Sequence, residues 1–498
     1  MRKQKPKIQK ERKFMNETRL KHLENLKIKG INPFGYPLKK RPTTTADELK
    51  LNYKDKENLP NQEFIIAGRI LNTRHHGKSI FADLLGQKEK LQIYLKKDEL
   101  NEKFDIFKDY IDNGDWIICQ GFLFKTKTGE LTLHLKDYDF LSKCLQELPE
   151  KWHGLKNPEI RYRQRYLDLF INPTVKNNFL VRNKIIKFIR NYLDSRGFIE
   201  VETPMLNIIP TGALAKPFKT FHNALGIEMY LRIAPELYLK RLIVGNFEKV
   251  YELGKVFRNE GISTKHNPEF TILELYQAFA DLTDMIQLTE DLISQLVNYI
   301  HNSQEIEYQG KKINFSTPFK KISFAGELYK KNVDIEKLRK DKDYLEKIAK
   351  ELHITNKTLS HVIDKAFDEL VKPELIDPTF VLDYPVEISP LAISKQDDPM
   401  YVERFELFVA NFEVANAFSE LNDPFEQERR FLQQQALKES GEEEAHEYDE
   451  DYINALKYGL PPTGGLGFGI DRLVMILTNQ NSIREVILFP ALLPKKEE

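Results

Sequence analysis

The sequence predicts an α+β protein of more than one domain, and three observations carry that prediction. Between residues 61 and 145, five short runs alternate apolar and polar side chains, the period-two signature of strands. Beyond that stretch, helical and strand-like segments mix without a regular βαβ alternation, which argues against a doubly wound parallel sheet. The length of 498 residues, 41% of them hydrophobic, supplies roughly two to four domains of ordinary size.

Taken in order, the chain starts with a basic tail. Residues 1–41 hold 14 Lys+Arg and three acids, a net of +11. The opening MRKQKPKIQKERK has almost nothing to bury, so it reads as a solvated extension or as an arm that attracts phosphates. From Thr18 a helical period of Leu20, Leu23, Leu26 and Ile28 runs to Gly30, where INPFGYP breaks it. Residues 1–60 are therefore assigned to the tail and this helical segment.

The five runs that follow are FIIAGRIL, SIFADLL, LQIYLK, DWIICQGFLF and LTLHL. Leu91, Ile93 and Leu95 share one face, as do Leu131, Leu133 and Leu135. With a helical KKDELNEKFDIFKDYI between the third and fourth runs, residues 61–145 suggest a five-stranded OB-type barrel, a fold that stacks single-stranded bases on exposed aromatics; a small sandwich without a ligand is the other reading. Residues 146–175 are polar, aromatic and Pro-bounded and read as a linker. The second domain spans 176–498, with amphipathic helices at 176–197 and 281–301 and a Lys-rich helical insertion at about 325–372. The acidic run EEEAHEYDEDY reads as a solvated helix face.

Three segments concentrate chemistry. In KVYELGKVFRNEGISTKHNPEFTILELYQAFA, alternation puts Glu252, Gly254, Val256 and Arg258 on one face of a strand and Phe270, Ile272, Glu274 and Tyr276 on one face of its partner, with Asn259, Glu260, Lys265, His266 and Asn267 in the loop. In RFELFVANFEVANAFSELND, an Ala410-Asn411 turn sets Phe408 opposite Glu413 and Glu406 opposite Ala415. Glu406 and Glu413 then lie about 7 to 8 Å apart on one face, a spacing at which two carboxylates share Mg²⁺ together with a nucleotide phosphate. Strict alternation turns Asn416 and Glu420 to the opposite face, so a bulge between 413 and 416 is required for all four to serve one pocket. In GLPPTGGLGFGIDRLVMIL, Gly464, Gly465, Gly467 and Gly469 clear side chains ahead of a helix that carries Arg472 in its first turn, a setting that favours anions. Neither GxGxxG nor a Walker A motif is present.

Together these segments resemble the class II aminoacyl-tRNA synthetases, and within them the lysyl enzymes of the aspartyl, asparaginyl and lysyl subgroup. GFIEVETPML (197–206) resembles motif 1, FRNEGISTKHNPEFT (257–271) motif 2 and GLGFGIDRL (465–473) motif 3; the HIGH and KMSKS signatures of class I are absent. The resemblance implies a catalytic domain built on an antiparallel β-sheet flanked by helices, a homodimer formed through motif 1, and activation of L-lysine with ATP before transfer to tRNA. It implies ATP contacts from Arg258, Glu260, His266, Phe270, Gly469 and Arg472, the two arginines also being catalytic. Glu236, Glu274, Tyr276, Asn416 and Glu420 would bind lysine, and Glu406 and Glu413 would hold Mg²⁺, of which the family uses about three ions per site. Carboxylates suit a substrate that ends in a cation. In the barrel, Arg69, Phe81, Gln92 and Glu130 fall at anticodon-reading positions. One departure is visible: Ala410, Ala415 and Ala417 stand near positions where relatives carry glycine. The rival readings are another specificity of the subgroup, an enzyme that lysylates a translation factor, and a binding protein without catalysis.

No apolar run approaches the ~18 residues of a membrane helix, and no h-region follows the basic start. Cys119 and Cys144 make no CxxC pair, so both read as structural thiols of a reducing compartment, and the cytoplasm is the expected location. The chain balances 75 Lys+Arg against 75 Asp+Glu. That zero is the sum of the +11 tail, −3 over 42–150 and −8 over 151–498. A tRNA-binding protein without net charge depends on local basic segments. Deleting residues 1–13 is expected to weaken tRNA binding and flatten its salt dependence while sparing adenylate formation; filter binding across a salt series would reject the basic-arm reading if affinity were unchanged.

Overall fold

The computed structural model describes residues 16–148, 155–213, 215–356, 358–439 and 448–494, in two compact units, Met1–Lys156 and Asn157–Glu498. The tail at 1–13 and residues 442–447 of the acidic run lie outside the described residues.

In the first unit, helix α1 (Glu17–Ile28) starts at Asn16, whose side chain accepts from the Arg19 amide. Leu23 and Leu26 are buried as the period requires, but Ile28 is exposed because the helix ends there. Helix α2 (Ala46–Tyr53) begins on a capping box between Thr45 and Glu48. The barrel strands are β1 (Glu63–His76), β2 (Ser79–Leu85) and β3 (Lys90–Lys96), then, after helices α3 (Lys97–Leu100) and α4 (Glu102–Tyr110), β4 (Trp116–Lys125) and β5 (Leu131–Ser142). They close in the order β1-β2-β3-β5-β4, the five-stranded OB arrangement expected. Leu91, Ile93, Leu95, Leu131, Leu133 and Leu135 all point into the barrel core. Closure leaves no free edge for another chain to pair with.

The second unit begins earlier than the sequence suggests. Residues expected to be linker form α5 (Pro158–Arg163) and α6 (Arg165–Ile171). Arg165 is fully buried, bonds Asp168 at 2.6 Å, and donates to the carbonyls of Leu488 and Arg484. A desolvated guanidinium with those partners is part of a packed domain, which is why polar composition misled here. Helix α7 (Pro173–Asp194) follows, buries Ile185, Ile189 and Leu193, and stops short of Gly197, which has φ +80°.

An eight-stranded sheet organises this unit. Its members are β6 (Ile199–Glu200), β7 (Lys249–Phe257), β8 (Glu269–Ala278), β9 (Lys320–Ser323), β10 (Thr379–Pro385), β11 (Tyr401–Val409), β12 (Phe412–Ser419) and β13 (Thr463–Gly469). They lie in the order β9-β10-β11-β12-β13-β8-β7-β6, antiparallel except for the pairs β6/β7 and β9/β10. Helix α8 (Glu236–Val244) precedes β7, and α9 (Leu282–His301) follows β8 with a capping box at Asp281. Leu292, Ile293 and Leu296 of α9 join Phe405, Leu407, Leu273, Leu275 and α7 in one core behind the sheet. The insertion folds as α10 (Phe324–Lys330), α11 (Ile335–Lys340), α12 (Lys342–Glu351) and α13 (Leu359–Leu370) around its own core, where Phe324 and Phe367 stack at 4.3 Å. Two further helices, α14 (Pro424–Glu439) and α15 (Glu450–Leu456), precede β13, and α16 (Ile470–Leu477) follows it. In the described part of the acidic run Glu450 and Asp451 are exposed, as a solvated face requires, but their neighbours are not. Asp449 caps α15 and bonds Arg241, while Tyr452 and Ile453 are buried.

Among the described residues no helix is long and apolar enough to cross a membrane. Both cysteines are free thiols, Cys119 buried and Cys144 half-buried.

Candidate functional site

The open face of the sheet is set by strand register. Glu274 on β8 pairs with Gly467 on β13, Gly467 with Asn416 on β12, and Asn416 with Glu406 on β11. These four residues form one row across four strands. The next row is Tyr276, Gly465, Phe418 and Arg404. On the other side of the first row lie Ile272 and Gly469. All of these residues line a single cavity of about 370 Å³.

The hairpin register differs by one residue from simple alternation. Val409 pairs with Phe412 across the Ala410-Asn411 turn, both turn residues having positive φ, and Phe408 faces Glu413 as expected. Leu407, however, faces Ala415, so Val414 is an extra residue and Glu406 meets Asn416 rather than Ala415. This is the bulge the sequence required, and it turns Glu413, Asn416 and Phe418 toward the same cavity. The alanines that depart from glycine do not narrow it: Ala415 and Ala417 are buried in the core behind the sheet.

One end of the cavity is cationic. Arg258 follows β7, and its guanidinium stands 5.2 Å from the Phe270 ring centroid. Its buried Nε has no hydrogen-bond partner, a donor left for a ligand. Burial lowers the pKa of this guanidinium, while Glu260 and Glu413 oppose the shift. Arg472, in the first turn of α16, donates Nη1 to the Glu413 carbonyl at 2.8 Å and lies 3.2 Å from its Oε2. His266 bonds Ser263 Oγ at 2.9 Å, and desolvation together with Arg472, Lys372, Lys265 and Arg258 holds its imidazole below the ordinary value. Glu260, Lys265, His266 and Asn267 of the loop also line the cavity.

Two further carboxylates line the cavity, Glu413 against Arg472 and Glu406 against Arg404. Burial and the Glu413 charge push Glu406 up to about 7. Glu413 goes the other way: burial raises it, but Arg472, Lys372, Arg404 and Arg258 outweigh that and lower it. Among the described residues no three His, Cys, Asp or Glu side chains converge as a metal cage. Two carboxylates facing a cationic, phosphate-sized space nonetheless fit Mg²⁺, which takes one or two carboxylates and completes its shell with water and phosphate.

The opposite end is anionic. Glu236, at the start of α8, and Glu274 are both buried and line the cavity. Burial and Glu236 push Glu274 up to about 8, and the Tyr276 hydroxyl donates to its Oε2 at 3.3 Å. Glu420 is also buried but does not line the cavity; its carboxylate contacts Lys240. Burial likewise raises its pKa.

The site also contains residues that the sequence reading did not single out. Arg404 donates to Glu406 Oε1 at 2.6 Å, to Asn416 Oδ1 at 3.0 Å, and to the Ile388 carbonyl and Ser389 Oγ. One planar guanidinium thereby fixes a metal-type carboxylate and the neighbouring amide. Alternation alone places Arg404 beside Glu406, which is the signal that would have found it. Glu252, by contrast, was expected on the open face, but it accepts from the Thr203 hydroxyl at 2.6 Å and pairs with buried Arg232, so it is spent on structure.

On the barrel, Phe81 and Gln92 lie on neighbouring outward positions of β2 and β3. Phe81 stands 4.8 Å from Tyr94, which is 5.1 Å from His134 and 5.8 Å from Phe124. This is a continuous aromatic surface of the kind that stacks bases, and only Phe81 of it was singled out from sequence. Gln92 accepts from Thr132 Oγ1, Glu130 bonds Lys50 at 2.7 Å, and Arg69 lies over the Trp116 ring and donates to the Gly114 carbonyl.

A sheet with a cationic end, a carboxylate pair and an anionic end, preceded by an OB barrel, defines a nucleotide-using enzyme of nucleic-acid substrates. Residues 157–493 match the model of the family described as tRNA synthetases class II (D, K and N), and residues 64–141 match that of the OB-fold nucleic acid binding domain. The chain belongs to the class II tRNA synthetases of this D, K and N group. It is 52% identical over 484 residues to a protein named Lysine--tRNA ligase from Thermoanaerobacter pseudethanolicus, covering 96% of each chain. A protein of the same name from Thermotoga maritima is 50% identical over 494 residues, covering 98% of this chain and 97% of its own; one from Clostridium tetani is 47% identical over 489 residues, covering 97% and 96%.

The two glycines at the centre of the rows differ in what they permit. A Cβ at Gly465 would stand 1.9 Å from Glu420 Oε1 and 2.6 Å from Tyr276 Cε1, whereas one at Gly467 would meet nothing closer than 3.8 Å. Gly465→Ala is therefore expected to destabilise the protein by about 1–3 kcal/mol through overpacking, and Gly467→Ala by less than about 0.5 kcal/mol. Urea unfolding of both variants tests this; equal losses would contradict it.

Proposed function

We propose that the chain is a lysine–tRNA ligase that activates L-lysine with ATP and then esterifies the 3′ end of its tRNA. The observation that carries this reading is the division of one cavity into a cationic end at Arg258 and Arg472 and an anionic end at Glu236 and Glu274. The first suits a polyphosphate and the second an ammonium group. An aspartate-specific pocket would need a cation at the second end.

In the proposed mechanism, Glu236, Glu274, Tyr276 and Asn416 hold the ammonium groups of lysine and leave its carboxylate pointing toward ATP, while Glu420, expected from the sequence to join them, adds its charge from behind the cavity wall against Lys240. Arg258 binds the α-phosphate and Arg472 the γ-phosphate. Phe270 stacks on adenine, Glu260 and His266 fix the nucleotide, and Gly469 lets it approach the backbone. The lysine carboxylate oxygen attacks the α-phosphorus in line; the bond to the β-phosphate oxygen breaks and pyrophosphate leaves. The tRNA 3′-hydroxyl then attacks the carbonyl carbon of the adenylate, and AMP departs. No covalent enzyme intermediate is needed, so positioning and charge neutralisation supply the rate. Glu406 and Glu413 would hold Mg²⁺, which when bound neutralises phosphate charge, and the family's about three ions would need the nucleotide for their remaining ligands.

Arg69, Phe81, Gln92 and Glu130 are proposed to read the anticodon. A homodimer through 197–206 is supported by the exposed apolar side chains Ile199, Met205 and Leu206. The cytoplasm is the proposed location.

Lysine-dependent exchange of pyrophosphate into ATP is expected, and Arg258→Ala should lower it by about a hundredfold or more. Exchange that ran equally with aspartate or asparagine, or that survived Arg258→Ala, would contradict the reading.

A further inference from the structure

The anionic end holds one charge that the proposed mechanism does not use. Lys240 lies one turn after Glu236 on α8 and is completely buried. Its Nζ stands 2.6 Å from Glu236 Oε1 and contacts Glu420 Oε2. The ring centroids of Phe418 and Tyr276 lie 5.3 and 5.9 Å away. Lys240 does not line the cavity, whereas Glu236 does. It therefore sits behind the carboxylates assigned to the substrate, with no path to solvent. A buried ammonium persists only when paired, and here one partner, Glu236, lines the amino-acid pocket and the other, Glu420, lies directly behind it.

We infer that Lys240 is a positioning residue that sets substrate specificity: it orients Glu236 and Glu420 and cancels one of the three carboxylate charges present when the pocket is ionised around its substrate, so that two negative charges are left to match two ammonium groups. The inference rests on the lysine pocket proposed above. Glu236, Glu274 and Glu420 supply three carboxylates and Lys240 one ammonium. A substrate with a single ammonium leaves a buried carboxylate uncompensated, and a pocket lacking Lys240 leaves one uncompensated even with lysine bound. The spacing on α8 is what makes this possible, since residues four apart share one face of a helix.

The other groups around Lys240 do not supply the same balance. Arg258 acts on Glu274 from the end of β7. Arg241, the next residue on α8, is held by Asp449. Burial and the surrounding carboxylates raise the hydroxyls of Tyr276 on β8 and Tyr452 on α15 well above their ordinary value, so both are neutral. Lys240 is raised, because Glu236 and Glu420 outweigh its burial, and it stays charged throughout the working range. Loss of its charge would leave Glu236, Glu274 and Glu420 sharing a proton to higher pH, and lysine binding would then require that proton to leave.

Steady-state exchange kinetics on the full chain, run from about pH 6 to pH 9, test this. Lys240→Met is expected to raise the KM for lysine about tenfold or more while leaving the KM for ATP within about twofold, and to move the midpoint of the lysine kcat/KM profile to higher pH. The charge count gives a second, gain-of-function test. Glu420→Gln alone leaves too little negative charge, and adding Lys240→Met restores it, so the double variant should exceed Glu420→Gln in lysine kcat/KM by about fivefold or more. A double variant no better than Glu420→Gln overturns the inference, as does Lys240→Met with wild-type KM and pH profile. Glu236→Gln separates the two levels: an unchanged lysine KM in that variant sinks the pocket assignment itself, whereas a raised KM there with no effect of Lys240→Met sinks only the role of Lys240.

Discussion

Side-chain alternation across an antiparallel sheet, corrected by one inserted residue, is the constraint on which the site depends. Glu274, Gly467, Asn416 and Glu406 share a row because β8, β13, β12 and β11 are hydrogen-bonded neighbours in fixed register. Without the extra residue at Val414, Glu413 and Asn416 would lie on opposite faces. One of them would then enter the core occupied by Phe405, Leu407 and Ala417. The bulge converts a hairpin that alternation alone would divide between two faces into one that delivers both to a single cavity. Arg404 then fixes the result by bonding Glu406 and Asn416 together.

The same sheet separates charge. Arg258, Arg472 and His266 gather at one end, while Glu236 and Glu274 gather at the other. Each cluster raises the free energy of its own charges: burial and a neighbouring carboxylate push Glu274 up to about 8, and adjacent cations hold His266 low. Such self-repulsion is relieved by protonation or by ligands of opposite sign, so the two ends suit a polyphosphate and an ammonium group. The zero net charge of the whole chain conceals this separation. Lys240 is the counterweight within it, buried between Glu236 and Glu420.

Much of this was legible in the sequence because strands expose their pattern directly. The period of two in LQIYLK and LTLHL gave the barrel its inward faces, and the same rule put Glu252 and Val256 on one face and Phe270 and Glu274 on one face of the partner strand; which residue pairs with which is fixed only by the fold, Glu252 with Glu274 and Val256 with Phe270. Even the bulge was implied, since no bulge-free hairpin brings Glu413 and Asn416 together. Alternation does not report what occupies a side chain after folding. Glu252 shares a face with Gly254, yet Arg232 fills the space over that glycine, whose Cβ would stand 2.5 Å from Nη2, and binds the carboxylate. Nor does composition separate a linker from a polar but packed helix pair. Arg165 and Asp168 look solvated in the sequence and are fully buried in the fold. Lys240 was hidden for a related reason, because a lysine on an amphipathic helix is normally a solvated one.

The central claim is that selection rests on matching a buried, net-anionic pocket to a second ammonium group. Calorimetric binding of L-lysine and of L-norleucine, which keeps the chain and lacks the terminal charge, tests it most directly. The account predicts that norleucine binds weaker by on the order of a thousandfold or more, because the carboxylates around Lys240 would be left buried and uncompensated. Norleucine binding within about tenfold of lysine, the gap expected of a merely apolar slot, would contradict it.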